Sequence, residues 1–354
     1  MSDNRYKFGI VGAGMIAEFH ARAIQSMKGV ELVAVYARRK EQAKEFSERY
    51  GVHGYSDYRN FLKHQGLDVV TICSVSGVHL DHVSLAAKSG KHIICEKPLE
   101  VTTERIDQMM AVCKENRVSL AGIFPRRFND STRLFKKAIL EGRLGKIVLA
   151  DASIKWWRTQ EYYESSAWRG TMKWDGGGAL MNQGIHTIDL LLYLMGEVRS
   201  VCAYSGLLAH EGLEVEDIAV AILEFKNGAK GVIQGSTACY SKEGHPASVQ
   251  ICGDSGSVTM VDDKFSVWDF KDESIADKEV LLKYGLKGIS GGAGAADPLA
   301  IDYLWHQRNF EDIVNALREG KKPLVDGAEA RKSVALIRAI YESANGRGKR
   351  IVLS

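Results

Sequence analysis

The sequence predicts an α/β chain of two domains: a doubly wound parallel sheet first, then an α+β unit with a large, mainly antiparallel sheet. Three observations carry this. Short apolar strands alternate with amphipathic helices from Lys7 to Ala121, as parallel strands joined by helical crossovers do. The first strand feeds directly into Gly12-Ala13-Gly14-Met15-Ile16-Ala17, a glycine turn that opens a helix. After Phe124 consecutive strands are joined by tight turns such as Lys226-Asn227-Gly228 and Gly253-Asp254-Ser255-Gly256, the mark of antiparallel pairing. A chain of 354 residues also exceeds one ordinary domain, and the boundary is placed so that the domains are 1–124 and 125–354.

Bulk properties exclude several classes of function. The net charge of +3 is small for the length and no dense basic run occurs, which argues against nucleic acid and membrane surfaces as partners. Six cysteines (Cys73, Cys95, Cys113, Cys202, Cys239, Cys252) lie scattered with no Cys-x-x-Cys pair, against both a disulfide framework and a zinc site. The histidines lack ligand spacing, so no metal is expected. The first residues run into a strand without an apolar signal region, and the run Leu190 to Met195 is too short to span a bilayer. A soluble cytoplasmic protein with reduced thiols is the expectation.

In the first domain, Lys7 to Val11 reads as a buried strand. Gly12 permits the tight turn, Gly14 lets a pyrophosphate approach the backbone, and Ala17 allows close helix packing. Gly12, Gly14, Met15 and Ile16 are therefore expected at the phosphates, on the N-terminus of a helix whose apolar face is Ala17, Ala21 and Ile24. This is the Rossmann dinucleotide fingerprint. The second strand, Val30 to Tyr36, would end in Asp or Glu to hold the 2′-hydroxyl of NAD, and here Ala37-Arg38-Arg39-Lys40 follows instead. Guanidinium groups suit a 2′-phosphate, so the reading leans to NADP, the other possibility being a solvated first turn of helix Lys40 to Arg49.

The alternation continues through His53 to Tyr55, helix Tyr58 to Gln65, strand Val69 to Cys73, helix His79 to Ser89, strand His92 to Cys95, helix Glu104 to Asn116 and strand Val118 to Ala121. Ser74, Ser76 and His79 follow a strand end and are expected on the nicotinamide side, although His79 also reads as a helix-start residue. Glu96-Lys97-Pro98 follows the next strand end. A lysine there faces ligand, where its ammonium can hydrogen-bond a hydroxyl or, if burial lowers its pKa, act as a base.

The second domain opens with Arg126-Arg127-Phe128 on a helix to Glu141, then a strand from Lys146 to Trp157. Further strands are expected at Ser200 to Gly206, Val215 to Phe225, Ala229 to Ala238, Ser248 to Cys252 and Ser257 to Val261. Helices Ala300 to Glu319 and Ala328 to Asn345 and a strand Arg350 to Leu353 complete it. One helix interrupts the strands, from Gly176-Gly177-Gly178 to Asp189. Its Asn182, His186 and Asp189, at i, i+4 and i+7, fall on one face, which reads as a site or as a hydrogen-bonded core histidine. Four of the six tryptophans lie just before it, in Trp156-Trp157-Arg158, Trp168-Arg169 and Trp174. Indoles stack on sugar faces while arginines bind hydroxyls or carboxylates, so Trp156, Arg158, Trp168 and Arg169 are candidate substrate contacts; an oligomer interface would use the same residue types.

Gly12 to Ala17, Glu96-Lys97-Pro98 and the glycine-run helix ending in His186 together resemble the Gfo/Idh/MocA oxidoreductases, over nearly the whole chain. The resemblance implies a Rossmann domain and a domain whose open sheet makes homodimer or homotetramer contacts. It also implies hydride transfer between NAD(P) and a sugar, cyclitol or nucleotide sugar. Glu96 and Lys97 would sit at the cofactor, Lys97 would contact the reacting hydroxyl, and His186 would share its proton, with Arg127 and Phe128 on the substrate side. The family usually has Asp where this chain has Asn182, and an amide cannot ionise, so Lys97 or His186 must carry the base role. Asn there resembles members acting on carbon 3 of pyranosides or UDP-sugars. Val75-Ser76 stands where many members have Pro-Asn. Two other readings share the fold: a glycosidase that retains NAD and passes through a 3-keto intermediate, and a non-catalytic dinucleotide sensor.

Overall fold

The computed structural model describes residues 5–287 and 303–353, which form two compact units. The first is a six-stranded sheet in the order β3-β2-β1-β4-β5-β6, parallel throughout. Its strands are β1 (Tyr6–Val11), β2 (Val30–Tyr36), β3 (His53–Tyr55), β4 (Val69–Ile72), β5 (His92–Cys95) and β6 (Leu120–Gly122). The crossovers are α1 (Met15–Ser26), α2 (Lys40–Tyr50), α3 (Tyr58–Leu62), α4 (His79–Lys88) and α5 (Thr103–Glu115). Because helices cover both faces, the central strands are buried on both sides: all of Val69–Ile72 and the last four residues of β1 are interior.

The chain returns to this unit after leaving it. Sequence reading placed everything from residue 125 onward in the second domain, yet the stretch ending at Arg331 belongs to the first. Helix α10 (Leu304–Glu319) puts Phe310, Ile313 and Val314 into one core with Phe8, Ile10, Ala21 and Ile24. Its expected start at Ala300 lies outside the described residues. Val325 then accepts the Gly122 amide at 2.9 Å, and Asp326 bridges Ala121, so the returning chain also extends the sheet edge beyond β6. An amphipathic stripe shows that a helix will bury one side but not against which core, which is why the boundary was missed.

In the second unit a 3₁₀ turn (Pro125–Phe128) leads into α6 (Asp130–Leu140), capped by Asn129, whose side chain accepts the Ser131 amide. The eight-stranded sheet runs β13-β12-β11-β7-β10-β9-β8-β14. Its strands are β7 (Ile147–Lys155), β8 (Val198–Gly206), β9 (Ile218–Phe225), β10 (Lys230–Ser236), β11 (Ser248–Gly253), β12 (Gly256–Val261), β13 (Lys264–Phe270) and β14 (Ile351–Val352). All pairs are antiparallel except β7 with β10. Helices α7 (Gln160–Glu164), α8 (Ile185–Met195), α9 (Ile275–Tyr284) and, from Lys332 onward, α11 (Gly327–Asn345) accompany it; β13, α7 and α9 were not expected from sequence. Burial alternates along β9, with Ala219, Ala221, Leu223 and Phe225 inside and Val220 and Ile222 exposed.

Candidate active site

The first unit gathers the expected cofactor residues at the carboxyl ends of its strands, where ligands bind in open parallel sheets. After β1, Gly12 turns the chain at φ +108°, and a Cβ there would lie 2.7 Å from the Cys73 carbonyl oxygen, so only glycine fits. A Cβ on Gly14 would meet nothing within 4 Å. That open space lies at the N-cap of α1, which no side chain caps, beside the first-turn residues Met15 and Ile16. Amides and a partial positive charge facing unfilled space fit a pyrophosphate. After β2, Ala37 is buried while Arg38 and Arg39 are exposed, Arg39 being the N-cap of α2, and neither arginine has an ion pair among the described residues. The residues present fit a dinucleotide.

Three of the expected contacts, Ser76, His79 and Glu96, face inward. His79 is buried, with Nε2 3.0 Å from the Ser74 carbonyl oxygen and Nδ1 3.1 Å from that of Leu99. It braces the loop after β4 against the loop after β5, and its ring is used up in doing so. Ser74 Oγ lies 3.0 Å from His82 Nδ1, and Ser76 is buried in a short 3₁₀ turn. Glu96 is also interior: His20 Nε2 lies 2.8 Å from Oε1, and Oε2 accepts the Lys97 backbone amide at 3.0 Å. Its charge is held behind Lys97 rather than offered to a cofactor.

The network around Glu96 was not visible in the sequence. His20, fully buried on α1, sets Nδ1 2.7 Å from Thr71 Oγ1 and 3.1 Å from Cys73 Sγ. Its ring stands edge-on to Phe310 and 5.9 Å from that of His306. Burial opposes ionisation of Glu96, but the hydrogen bond and charge of His20, with His306 and Lys97 beyond, outweigh it and bring the carboxyl down to about 2. Burial pushes His306 down to about 4, where Glu96 opposes and His20 and Lys97 assist. Possible ligand atoms of His20, Glu96 and His306 lie within 4.8 Å of one another, so the three side chains form one buried cluster. The one sequence signal was a polar residue on the apolar stripe of α1. Lys97 itself is half-buried two residues after the end of β5 and precedes a cis peptide bond to Pro98.

In the second unit the aromatic and arginine residues do come together. The Arg158 guanidinium lies 5.4 Å from the Trp156 ring centre and 5.5 Å from that of Tyr162. Arg169 lies 4.1 Å from the Tyr162 ring and 5.4 Å from Trp168, and donates to the Tyr162 carbonyl and Ser165 Oγ. Gln183 joins by donating to Tyr162 Oη at 3.1 Å. Arg127 and Phe128 do not join: both are interior, and Arg127 forms a forked pair with Asp189 at 2.7 and 2.8 Å. A buried guanidinium needs that carboxylate, which withdraws both residues from any ligand surface.

The expected helical face of Asn182, His186 and Asp189 is accordingly split. Ala179–Gly184 is a π-helical turn leading into α8, which breaks the regular spacing. Asn182 donates to Asp175 at 2.7 Å, Asp189 belongs to Arg127, and His186 is half-buried at the start of α8. The glycine run admits the chain's own groups. A Cβ on Gly178 would lie 1.8 Å from the Glu216 carbonyl oxygen, and one on Gly177 2.2 Å from Tyr341 Oη.

Comparison with known proteins bears on what these sites are for. Residues 6–123 match "Oxidoreductase family, NAD-binding Rossmann fold", and residues 136–352 match "Oxidoreductase family, C-terminal alpha/beta domain", the two parts of one family. The chain belongs to the Gfo/Idh/MocA oxidoreductases. Among its relatives in this family is myo-inositol 2-dehydrogenase of Thermotoga maritima, 30% identical over 71% of this chain and 74% of that one. D-glucoside 3-dehydrogenase of Escherichia coli is 27% identical over 100% and 99%. Among solved structures, the WlbA dehydrogenase from Bordetella pertussis in complex with NADH and UDP-GlcNAcA is similar at a TM-score of 0.88, with 32% identity over 100% of this chain and 99% of that one. The chain is thus an oxidoreductase with an NAD-binding Rossmann unit, in a family of sugar and polyol dehydrogenases. Among the described residues no helix is long and apolar enough to cross a membrane.

Proposed function

We propose that this enzyme moves hydride between a bound nicotinamide and ring carbon 3 of a pyranoside, with a nucleotide-linked sugar carrying a carboxylate as the favoured substrate. The observation that carries the chemistry is Lys97, half-buried beyond β5 with the Glu96 carboxylate behind it, on the same sheet end as the uncapped glycine turn. The bound dinucleotide supplies the hydride acceptor. Lys97 takes the proton of the hydroxyl whose carbon loses hydride, and His186 assists it. Asn182 cannot ionise and donates to Asp175, so its part is to orient. Trp156 and Trp168 offer faces to the sugar ring, and Arg158 and Arg169 balance a carboxylate or phosphate. D-glucoside 3-dehydrogenase and the WlbA complex support the carbon and the substrate class respectively. Arg38 and Arg39 favour NADP, and the open face of the sheet favours a homodimer or homotetramer.

The test is reduced-cofactor formation with UDP-linked uronates, simple glucosides and inositols, each with NAD and NADP, on wild type and Lys97→Met. Methionine keeps the apolar stem and removes the amine that would take the proton. Turnover should fall by roughly 10²–10⁴-fold while the dinucleotide still binds by titration. Wild-type turnover in Lys97→Met at saturating substrate would assign the proton to another group.

A further inference from the structure

We infer that Glu216 is a positioning residue: its carboxylate and carbonyl clamp the first turn of the π-helical segment that carries Asn182 and runs into His186, so that its ionisation governs where those two side chains stand. The bond pattern is dense for one residue. Oε2 accepts the Gly178 amide at 2.8 Å, Oε1 accepts the Leu180 amide and the Tyr341 hydroxyl at 2.9 Å each, and the Glu216 carbonyl accepts the Ala179 amide at 3.1 Å. Helix starts leave such amides without intrahelical partners, and here a residue just before β9 takes three consecutive ones. Gly178 is obligatory because a Cβ would fall inside contact distance of that carbonyl. Gly177 in turn leaves room for the Tyr341 hydroxyl that the same carboxylate accepts.

The clamp works fully only when Glu216 is ionised. As a carboxylate it offers acceptors on both oxygens, whereas the neutral acid turns one oxygen into a donor in a place where three donors already converge. Burial pushes this carboxyl up to about 7, against the opposing hydrogen bonds from Leu180, Gly178 and Tyr341. Around it, Tyr341 from α11 and Tyr163 from α7 feel its charge, and Asp175 acts on the same Tyr163. Neighbouring Asp217 turns its carboxylate away, to the amides of Leu208, Ala209 and His210 and the His210 ring. None of the largest influences on Glu216 among the described residues comes from a basic side chain. Acidification through neutrality should therefore loosen the turn.

The catalytic consequence rests on His186 serving the reaction proposed above; the clamp itself does not. Two readouts separate them. Hydrogen exchange of the peptide from Gly176 to His186, corrected for intrinsic pH dependence, should lose protection in wild type as pH falls through about 7. In Glu216→Gln protection should be low and flat, and in Tyr341→Phe the wild-type inflection should move to higher pH, since one donor to the carboxylate is gone. Turnover should follow: Glu216→Gln loses up to about 10²-fold, the scale of misplacing a reacting group by an ångström, and loses the limb near neutrality, while KM for the dinucleotide stays put. The expected exchange pattern without sugar turnover would sink the proposed function and leave the clamp standing. Wild-type exchange and pH profile in Glu216→Gln, or in Tyr341→Phe should the first variant not fold, would overturn the clamp.

Discussion

Arg38 and Arg39 stand where a carboxylate would have marked NAD, and their exposure without an ion pair among the described residues leaves their charge available to a ligand. Arg38→Ala should weaken NADP binding by about 1.5–3 kcal/mol, the worth of charge-assisted hydrogen bonds, and leave NAD binding nearly unchanged. Titration of both dinucleotides checks it, and equal losses for the two would show that the guanidinium does not reach the 2′ position. At this scale the sequence was legible wherever a residue acts through local backbone geometry. Gly12, Gly14 and Lys97 could be placed because a strand end or a helix start, both local patterns, puts them there. Glu96, His79 and Arg127 were misassigned because what decides their role is a partner far along the chain: His20, 76 residues away, turns Glu96 inward, and Asp189, 62 residues away, buries Arg127.

Helix α10 shows the same limit one level up. A helix was expected there, but its stripe of Phe310, Ile313 and Val314 packs into a core that α1 and β1 help to form, nearly 300 residues earlier by number. That placement carries His306 into the Glu96 network and has a consequence for acid stability. His306 titrates near 4 in the folded unit against an ordinary value of 6.5, so the folded state binds its proton more weakly than the unfolded state does. Stability from this group is present above 6.5 and is lost as pH falls through about 4, by on the order of 3 kcal/mol when complete. Glu96 adds its own loss further down, as pH falls from its usual range towards about 2. His306→Gln should flatten the dependence of the urea midpoint on pH between neutrality and about 4, although His82, also lowered to about 4 by burial, will keep part of the slope. An unchanged slope would mean that His306 is not charged on unfolding in that range.

At the scale of the whole molecule, the eight-stranded sheet raises the question of what covers its outer face. One side of β9 is packed, while Val220 and Ile222 on the other side are exposed, Ile222 to 63%. Register continues the apolar row across strands: Ile222 pairs with Val232 on one side and Cys202 on the other, and Val220 pairs with Tyr204, itself exposed. Apolar cross-strand neighbours on a sheet face are costly to leave in water, and a second copy of the chain offers the same face in return, as a twofold interface requires. Ile222→Lys introduces a charge at the centre of that row without touching the packed side. It should therefore yield a smaller species in sedimentation while far-ultraviolet circular dichroism stays as in wild type. Trp156→Ala serves as the contrast, because a cluster that binds sugar should raise KM for the sugar and leave the mass unchanged. Should Trp156→Ala dissociate the protein and Ile222→Lys leave it intact, the aromatic cluster rather than the sheet would be the contact between copies, and Arg158 and Arg169 would have to be read as interface residues.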